Sequence, residues 1–170
     1  MSKLPSNLDK VLLGFPPIIN ATTHTLLLGS FPGEASLRAQ QYYAFPHNQF
    51  WRLLSGVFDA DMVALSYPER LAHLLERGIG LWDVFEACIR PGSLDSAIRQ
   101  GQLNDFATLK QNYPKLRQLC FNGKTAGKTE RYLAKLGYQT LQLPSSSPAY
   151  AQMCFADKLS YWQQIAHKTV

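Results

Sequence analysis

The chain has 170 residues, of which 46% are hydrophobic and 17% charged, so it has the length of one compact domain and the composition of neither a disordered tail nor a coiled coil. It carries no apolar stretch near the ~20 residues that span a bilayer, no signal-peptide cleavage site and only three scattered cysteines, which predicts a cytoplasmic protein, nucleoid-associated if bacterial. The net charge of +5 is concentrated in residues 110–135, a segment of lysines and arginines with Glu130 as its single acidic residue. Such a segment favours binding to a polyanionic partner, and a solvated helix face is the alternative.

The predicted elements alternate between strands and helices along the chain. Short apolar runs predict strands at residues 25–29, 79–82, 119–121 and 140–143. Periodic apolar side chains predict helices after Asn48 over residues 50–58, from a capping box at residues 66–69 to Gly78, and over residues 155–166.

Strands that are apolar throughout and alternate with helices are typical of a parallel sheet covered on both faces. We therefore predict an α/β fold, a three-layer α/β/α sandwich around a mainly four-stranded parallel sheet. Residues 1–170 would form a single domain, with residues 1–20 as an N-terminal extension packed on it. Ligands of such sheets bind beyond the carboxyl ends of the strands, so the segments that follow the four strands should converge on one cleft.

Several common chemistries do not fit this cleft. Residues 123–129 end in Gly-Lys-Thr like a phosphate-binding loop, but three residues separate the glycines where that loop needs four. The four histidines lack the paired spacing of metal ligands. No Gly-x-Ser-x-Gly elbow is present, and Asp83 stands alone among the strand ends. The cleft instead suits a reaction with a good leaving group, in which the substrate is gripped and distorted.

Five segments in order resemble motifs of the uracil-DNA glycosylase superfamily, in particular its hypoxanthine-DNA (deoxyinosine) glycosylases, which are related to the mismatch-specific branch. These segments are residues 29–33 (GSFPG), 43–51 (YAFPHNQFW), 78–83 (GIGLWD), 121–124 (FNGK) and 144–148 (PSSSP). The resemblance covers about residues 25–165. It implies an enzyme that rotates a damaged nucleotide out of DNA and hydrolyses its N-glycosidic bond, leaving an abasic site.

Two departures from the wider superfamily bear on catalysis. Phe31 stands where relatives carry the Asn or Asp that positions or activates the attacking water, and Leu143 stands where His or Asn precedes Pro-Ser. Loss of both polar groups resembles the hypoxanthine branch, in which an Asn that matches Asn48 takes over. The resemblance thus implies that the Asn48 carbonyl aligns the water; the alternative is that Asn48 caps the helix after it.

The resemblance also implies a set of base-binding residues. Tyr43 matches an aromatic that stacks on the flipped base, with ordinary burial as the alternative. Asp83 matches a base-reading amide and, as a carboxylate, would accept from a hypoxanthine N–H; a helix cap or a partner for Arg90 is the alternative. The full base-binding set is Gly29, Ser30, Phe31, Tyr43, Phe45, Asp83 and Asn122.

Contacts to DNA phosphates are expected beside this site. Ser145, Ser146 and Ser147 suit phosphates better than they suit a wedge in the base stack, with a plain polar turn as the alternative. Lys124 and Lys128 are candidates for non-specific phosphate binding.

The expected protein is a monofunctional, metal-independent DNA-deoxyinosine glycosylase of base excision repair. It would use no cofactor, act on DNA with a damaged or mispaired base, bind no membrane and work as a monomer. A uracil or mismatched-thymine glycosylase is the alternative within the same fold. The alternative that is not an enzyme is a non-catalytic nucleic-acid-binding module, and Phe31 is the residue that supports it.

Overall fold

The structure is a computed structural model that describes residues 10–167. Its strands are β1 (Val11–Leu13), β2 (Thr25–Gly29), β3 (Ile79–Asp83), β4 (Phe85–Ile89), β5 (Arg99–Leu103), β6 (Gln118–Asn122) and β7 (Gln139–Leu143). Its helices are α1 (Glu34–Ala39), α2 (Phe50–Phe58), α3 (Tyr67–Glu76), α4 (Phe106–Asn112), α5 (Lys124–Gly127), α6 (Glu130–Lys135), α7 (Phe155–Trp162) and α8 (Gln164–His167). Within these residues, no helix has the length and hydropathy needed to cross a membrane.

The predicted parallel sheet is confirmed, with strand order β3-β2-β6-β7. Successive side chains of a strand point to opposite faces, so Leu27 and Leu81 pack in one layer with α2, α3 and α7. Leu26 and Leu28 pack in the other layer with α4 and α6. Because β2, β3 and β6 are buried along their whole length, the fold is the expected three-layer α/β/α sandwich.

The predicted helices are also present, with one difference. The capping box is complete: Ser66 Oγ accepts from the Glu69 backbone N–H, and the Glu69 carboxylate accepts from the Ser66 backbone N–H. The C-terminal helix is interrupted at Gln163, where the following turn closes with a bond from Ala166 N to Gln163 O. The apolar face continues across the break because Trp162 and Ile165 enter the same core.

A second, antiparallel sheet has the order β1-β4-β5 and was not predicted. Its β1 is apolar (VLL) but has only three residues, and β5 (RQGQL) is polar and exposed throughout, so β5 shows no apolar strand pattern. The predicted N-terminal extension lies partly outside the described residues, because residues 1–9 are not described. From residue 10 onward it contacts both sheets, since β1 pairs with β4 and Ile18 pairs with Leu81.

The basic residues of segment 110–135 lie at two different edges of the parallel sheet. Lys115 and Arg117 precede β6, and Lys110 donates to the carbonyl of Gly137 just before β7, so these residues lie at the amino edge. Lys124 and Lys128 follow β6 and lie at the carboxyl edge. The single cationic surface that the sequence suggests is therefore divided, and only its second part lies at the carboxyl edge of the sheet.

Candidate active site

A cavity of about 750 Å³ opens at the carboxyl edge of the parallel sheet. This volume is typical of small-molecule sites. The four strand ends meet there, as expected for a doubly covered parallel sheet. All the residues predicted for the site line this cavity except Lys128: these are Gly29, Ser30, Phe31, Tyr43, Phe45, Asn48, Asp83, Asn122, Lys124, Ser145, Ser146 and Ser147.

Four polar side chains of the cavity are linked by a continuous chain of hydrogen bonds. Ser146 Oγ donates to Asn48 Oδ1 at 2.8 Å and accepts from Asn122 Nδ2 at 2.8 Å. Asn122 Nδ2 also donates to the Tyr43 hydroxyl at 3.2 Å. The chain joins segments that lie far apart in sequence, so no local motif predicts it.

Two backbone N–H groups fix the direction of this chain. Phe50 N donates to Asn48 Oδ1 at 3.0 Å, and Ser146 N donates to Asn122 Oδ1 at 2.8 Å. A backbone N–H only donates, so both amide orientations are determined. Ser146 must therefore give its proton to Asn48 and accept from Asn122. The Tyr43 oxygen accepts from Asn122, which leaves the Tyr43 proton available to another acceptor.

Asn48 has a structural contact and an open side at the same time. Asn48 is not the N-cap of α2, because Gln49 takes that position and makes no side-chain capping bond. Asn48 Oδ1 nevertheless accepts from the N–H of Phe50, the first residue of α2. Together with the bond from Ser146, this engages both lone pairs of Oδ1. Asn48 Nδ2 donates to no other residue between 10 and 167, and the side chain lines the cavity.

Tyr43 is the outer ring of a fixed aromatic stack. Its φ of 54° lies in the left-handed region, which bulky residues rarely adopt. The ring lies on Phe50 with centroids 3.7 Å apart and planes 9° from parallel. Phe50 is fully buried and held edge-on by Trp51 and Trp162. Burial and the nearby Asp83 carboxylate raise the pKa of Tyr43, so the phenol stays protonated.

Asp83 is a buried carboxyl group in the cavity wall. It ends β3, pairs in register with Gly29 of β2 and is only 4% exposed. A β-carbon on residue 29 would stand 2.5 Å from Asp83 Oδ1 and 2.9 Å from the Tyr43 hydroxyl oxygen, so a glycine is required there. The helix-cap alternative for Asp83 is wrong, because strand β4 follows it, and Arg90 gives its hydrogen bonds to backbone carbonyls.

The Asp83 carboxyl group is electrostatically unusual. Its Oδ2 atom is buried with no hydrogen-bond partner among the described residues. The pKa of Asp83 is raised to about 7, mainly by burial and secondly by the negative charge of Asp95. The positive charge of Arg90 acts in the opposite direction. Acid and carboxylate forms therefore coexist near neutral pH.

The segment between β4 and β5 forms a wall of the cavity that the sequence did not reveal. Ser30 Oγ donates to Asp95 Oδ1 of this segment at 2.6 Å. Arg90 Nη2 donates to the Pro32 carbonyl at 2.7 Å, and its guanidinium lies 5.3 Å from the centre of the Phe31 ring. Phe31 is thus packed against the side chain that directly follows β4, and the bond from Arg90 to Pro32 holds the loop after β2 in place.

The residues predicted to contact phosphates differ in their access to solvent. Lys124 and Lys128 are exposed, and Ser145 and Ser147 are half-buried. Ser146 is fully buried and its hydroxyl is used in the hydrogen-bond chain, so the phosphate contact predicted for it does not fit this geometry. Phe45, predicted to bind the base, is 46% exposed and packs edge-on against His47 at the rim.

Lys158 is a second buried ionisable residue near the site. Its Nζ donates to Gln49 Oε1 at 3.0 Å, and burial lowers its pKa. This bond ties α7 to the residue beside Asn48. Sequence reasoning missed it, because Lys158 stands on a helix whose other positions follow an ordinary amphipathic pattern. Other lining residues that were missed include Arg38, Ser93, Leu94, Asp95, Tyr150, Met153 and Tyr161.

We expect Ser146→Ala to destabilise the fold by about 1–3 kcal/mol, because it leaves a buried amide N–H of Asn122 without its acceptor. Urea unfolding would measure this change. Ser147→Ala is the matched control: that hydroxyl accepts only from the nearby Ala149 N–H in a half-buried turn, so its removal should cost less than about 0.5 kcal/mol. Equal destabilisation by the two variants would contradict the hydrogen bonds assigned to Ser146.

Comparison with known proteins gives the family. The model of the uracil DNA glycosylase superfamily matches residues 16–166. The chain belongs to this superfamily. The match covers the whole parallel sheet, strands β4 and β5 of the second sheet and every residue that lines the cavity, so the candidate site lies in the part of the chain that the superfamily shares. No group of three or more His, Cys, Asp or Glu side chains able to hold a metal ion occurs between residues 10 and 167.

Proteins with high similarity to this chain include two from Methanosarcina species. A Methanosarcina acetivorans protein named hypoxanthine DNA glycosylase is 43% identical over 152 residues, which cover 89% of this chain and 96% of that one. A protein of the same name from Methanosarcina barkeri is 46% identical over 136 residues, or 80% and 86% of the two chains. A solution NMR structure from Methanosarcina acetivorans, described as a proposed uracil DNA glycosylase, superposes with a TM-score of 0.84 at 42% identity, covering 93% of this chain and 98% of that one.

Proposed function

We propose that this member of the superfamily is a DNA glycosylase that excises hypoxanthine from deoxyinosine by hydrolysis of the N-glycosidic bond. The observation that carries the proposal is the convergence of Asn48, Tyr43, Asp83 and Asn122 on one cavity of base-binding size. The names of the two Methanosarcina relatives support hypoxanthine as the base. Deoxyinosine pairs poorly with thymine, which reduces the free energy needed to rotate it out of the duplex.

In this proposal Asn48 holds the attacking water. Its carbonyl oxygen already accepts two hydrogen bonds in the free protein, so a water donates to it only after the Ser146 hydroxyl turns away. The Ser146 proton is then available to the same water. An amide is too weak a base to take a proton from water, so it lowers the barrier through positioning and electrostatics.

The flipped base would stack on Tyr43, whose far face is already covered by Phe50. Such stacking contributes about 1–3 kcal/mol per base. The loop that begins at Gly29 and Ser30, together with Asp83, would meet the polar edge of the base. Asn122 has both N–H groups engaged, so it supports the site mainly by fixing Tyr43 and Ser146, and Phe45 would contact the nucleotide at the rim.

Phosphates of the DNA would lie across the carboxyl edge of the sheet, near Lys124, Lys128, Ser145 and Ser147. We expect the double variant Lys124→Gln/Lys128→Gln to weaken DNA binding and to reduce the slope of log K against log salt by about 2, since each lost phosphate contact contributes about 0.9. Titration by fluorescence anisotropy at several salt concentrations would measure this.

The matched control for that variant is Lys115→Gln/Arg117→Gln, which removes equal charge at the opposite edge. Its salt slope should stay close to that of the wild type. Equal slopes for the two double variants would mean that DNA does not cross the carboxyl edge at these lysines.

A single-turnover assay tests the proposed function directly. The enzyme in excess is mixed with a labelled duplex that contains deoxyinosine, in EDTA, and alkali then cleaves any abasic site. We expect strand cleavage at deoxyinosine and none in the intact duplex. No cleavage at any lesion, with binding retained, would indicate a non-catalytic binding module.

Uracil is the second candidate substrate, because a close structural relative is described as a proposed uracil DNA glycosylase. The same assay with uracil and mismatched thymine distinguishes these bases. Cleavage at uracil alone would keep the reaction and change its substrate.

The proposal also includes the organisation of the enzyme. Residues 1–170 would act as a single catalytic domain and as a monomer. Since its substrate would be cellular DNA, the enzyme would work in the cytoplasm, at the nucleoid in a bacterium.

A further inference from the structure

Asp83 is the polar group of the cavity for which the fold supplies no partner. Asn104 Nδ2 donates to its backbone carbonyl at 2.7 Å and so fixes the position of the residue. The carboxyl oxygen Oδ2 is buried and receives no hydrogen bond from the described residues, and the residue as a whole is only 4% exposed. A buried charge without a partner costs free energy, so this group is retained for a reason other than stability.

We propose that Asp83 enters the reaction as a carboxylic acid and gives its proton to a ring nitrogen of the departing purine. This inference rests on the function proposed above and adds a catalytic residue to it. The step differs from the role expected from the sequence, in which a carboxylate accepts a hydrogen bond from the base.

The proposed step conserves atoms and charge. The C1′–N9 bond breaks, and its electron pair goes to the purine while the Asp83 proton forms a bond to N7 or N3 of the ring. The water oxygen forms a bond to C1′, and the proton that water loses returns to the Asp83 carboxylate, directly or through solvent. The products are neutral hypoxanthine and an abasic sugar, and the acid is regenerated. No metal, oxidant or other co-reactant is needed.

The groups around Asp83 favour its acid form. Asp95 faces it from the segment between β4 and β5, and its negative charge opposes a second charge at Asp83. Tyr42 and Tyr43 face it from the segment before α2 and stay neutral, because burial raises the pKa of each. Arg90 is the single cation with an opposing effect, and its hydrogen bonds go to the carbonyls of Pro32 and Gly92.

The position of the carboxyl group also fits the step. Asp83 Oδ1 and the Tyr43 hydroxyl oxygen lie on the same side of the Gly29 backbone. Each is within 3 Å of the position that a β-carbon on residue 29 would take. A base stacked on the Tyr43 ring therefore lies next to the carboxyl group. With the pKa of Asp83 raised to about 7, both the donation and the return of a proton are feasible near neutral pH.

The pH dependence of single-turnover excision tests this proposal. For the wild type on a deoxyinosine duplex, we expect a rate constant that is flat at acidic pH and falls by about tenfold per pH unit above the Asp83 pKa of about 7. Asp83→Asn should lower the rate by at least about a hundredfold and give a flat profile, while Asp83→Glu should keep the fall. Binding of the same DNA by Asp83→Asn, and its thermal unfolding, show that the variant is folded.

A second variant keeps the test valid even if Asp83→Asn does not fold. Asp95→Asn removes a charge that favours the acid form, so the fall in rate should begin at lower pH. A wild-type rate that rises with pH would indicate a carboxylate acceptor and overturn the proposal. A flat wild-type profile, or an Asp83→Asn rate within threefold of the wild type, would also overturn it. Absence of hypoxanthine excision at every pH would overturn the proposed function itself.

Discussion

Asn48→Ala is expected to reduce single-turnover excision of hypoxanthine by at least about a hundredfold, which is typical of the loss of one positioning or electrostatic group. Two effects combine in this variant. The amide that faces the cavity disappears, and the Ser146 hydroxyl loses the acceptor that sets its direction. The N–H of Phe50 also loses its acceptor, which should cost about 1 kcal/mol of stability. The rate on a deoxyinosine duplex and the urea midpoint are the two measurements.

Asn48→Asp is the matched control for this prediction. Its carboxylate still accepts from the Phe50 N–H and the Ser146 hydroxyl, so the stability lost in Asn48→Ala should be recovered. The urea midpoint of Asn48→Asp therefore shows whether the stability lost in Asn48→Ala comes from these two acceptor bonds. A folded Asn48→Ala protein with an excision rate within threefold of the wild type would exclude Asn48 as the catalytic amide.

Gly29→Ala is expected to give the second large loss, about a hundredfold in excision rate, with a destabilisation of about 1–3 kcal/mol from overpacking. The added methyl group would stand 2.5 Å from Asp83 Oδ1 and 2.9 Å from the Tyr43 hydroxyl oxygen. Both groups would have to move, and a displacement of about 1 Å at a reacting group is enough to cause such a loss.

Gly33→Ala is the control in the same loop. Its added β-carbon would meet only the Ser93 side chain, at 3.7 Å or more, which is ordinary contact. Its excision rate should stay within a few-fold of the wild type. If the two alanine variants had equal rates, the close approach of Asp83 and Tyr43 to Gly29 would be unimportant for the reaction.

The elements that the sequence predicted well are those in which local pattern and tertiary environment agree. Strand β2 is apolar throughout because both of its faces are covered, and α3 begins at a capping box that is complete in the structure. The sheet topology then brings the strand ends together without further information. For this reason nearly all the predicted site residues line one cavity.

The parts that were missed depend on contacts between distant segments. Strand β5 is exposed along its whole length and resembles a polar loop in sequence. Ser146 lies between two other serines and is distinguished only by burial and by its bonds to Asn48 and Asn122. The pKa of Asp83 depends on burial and on Asp95, which joins the site through a second sheet that the sequence pattern does not predict.

The hydrogen-bond chain from Asn48 to Tyr43 has a consequence for the energy of the reaction. Its direction is set at both amides by backbone N–H groups, which belong to the rigid framework of the fold. In water, solvent dipoles must turn to follow charge as a bond breaks, and this reorganisation forms part of the barrier. Here a single proton movement, the rotation of the Ser146 hydroxyl, is enough to adapt the chain to a bound water. The folding free energy has already aligned the other dipoles, so little further reorganisation is required during bond cleavage.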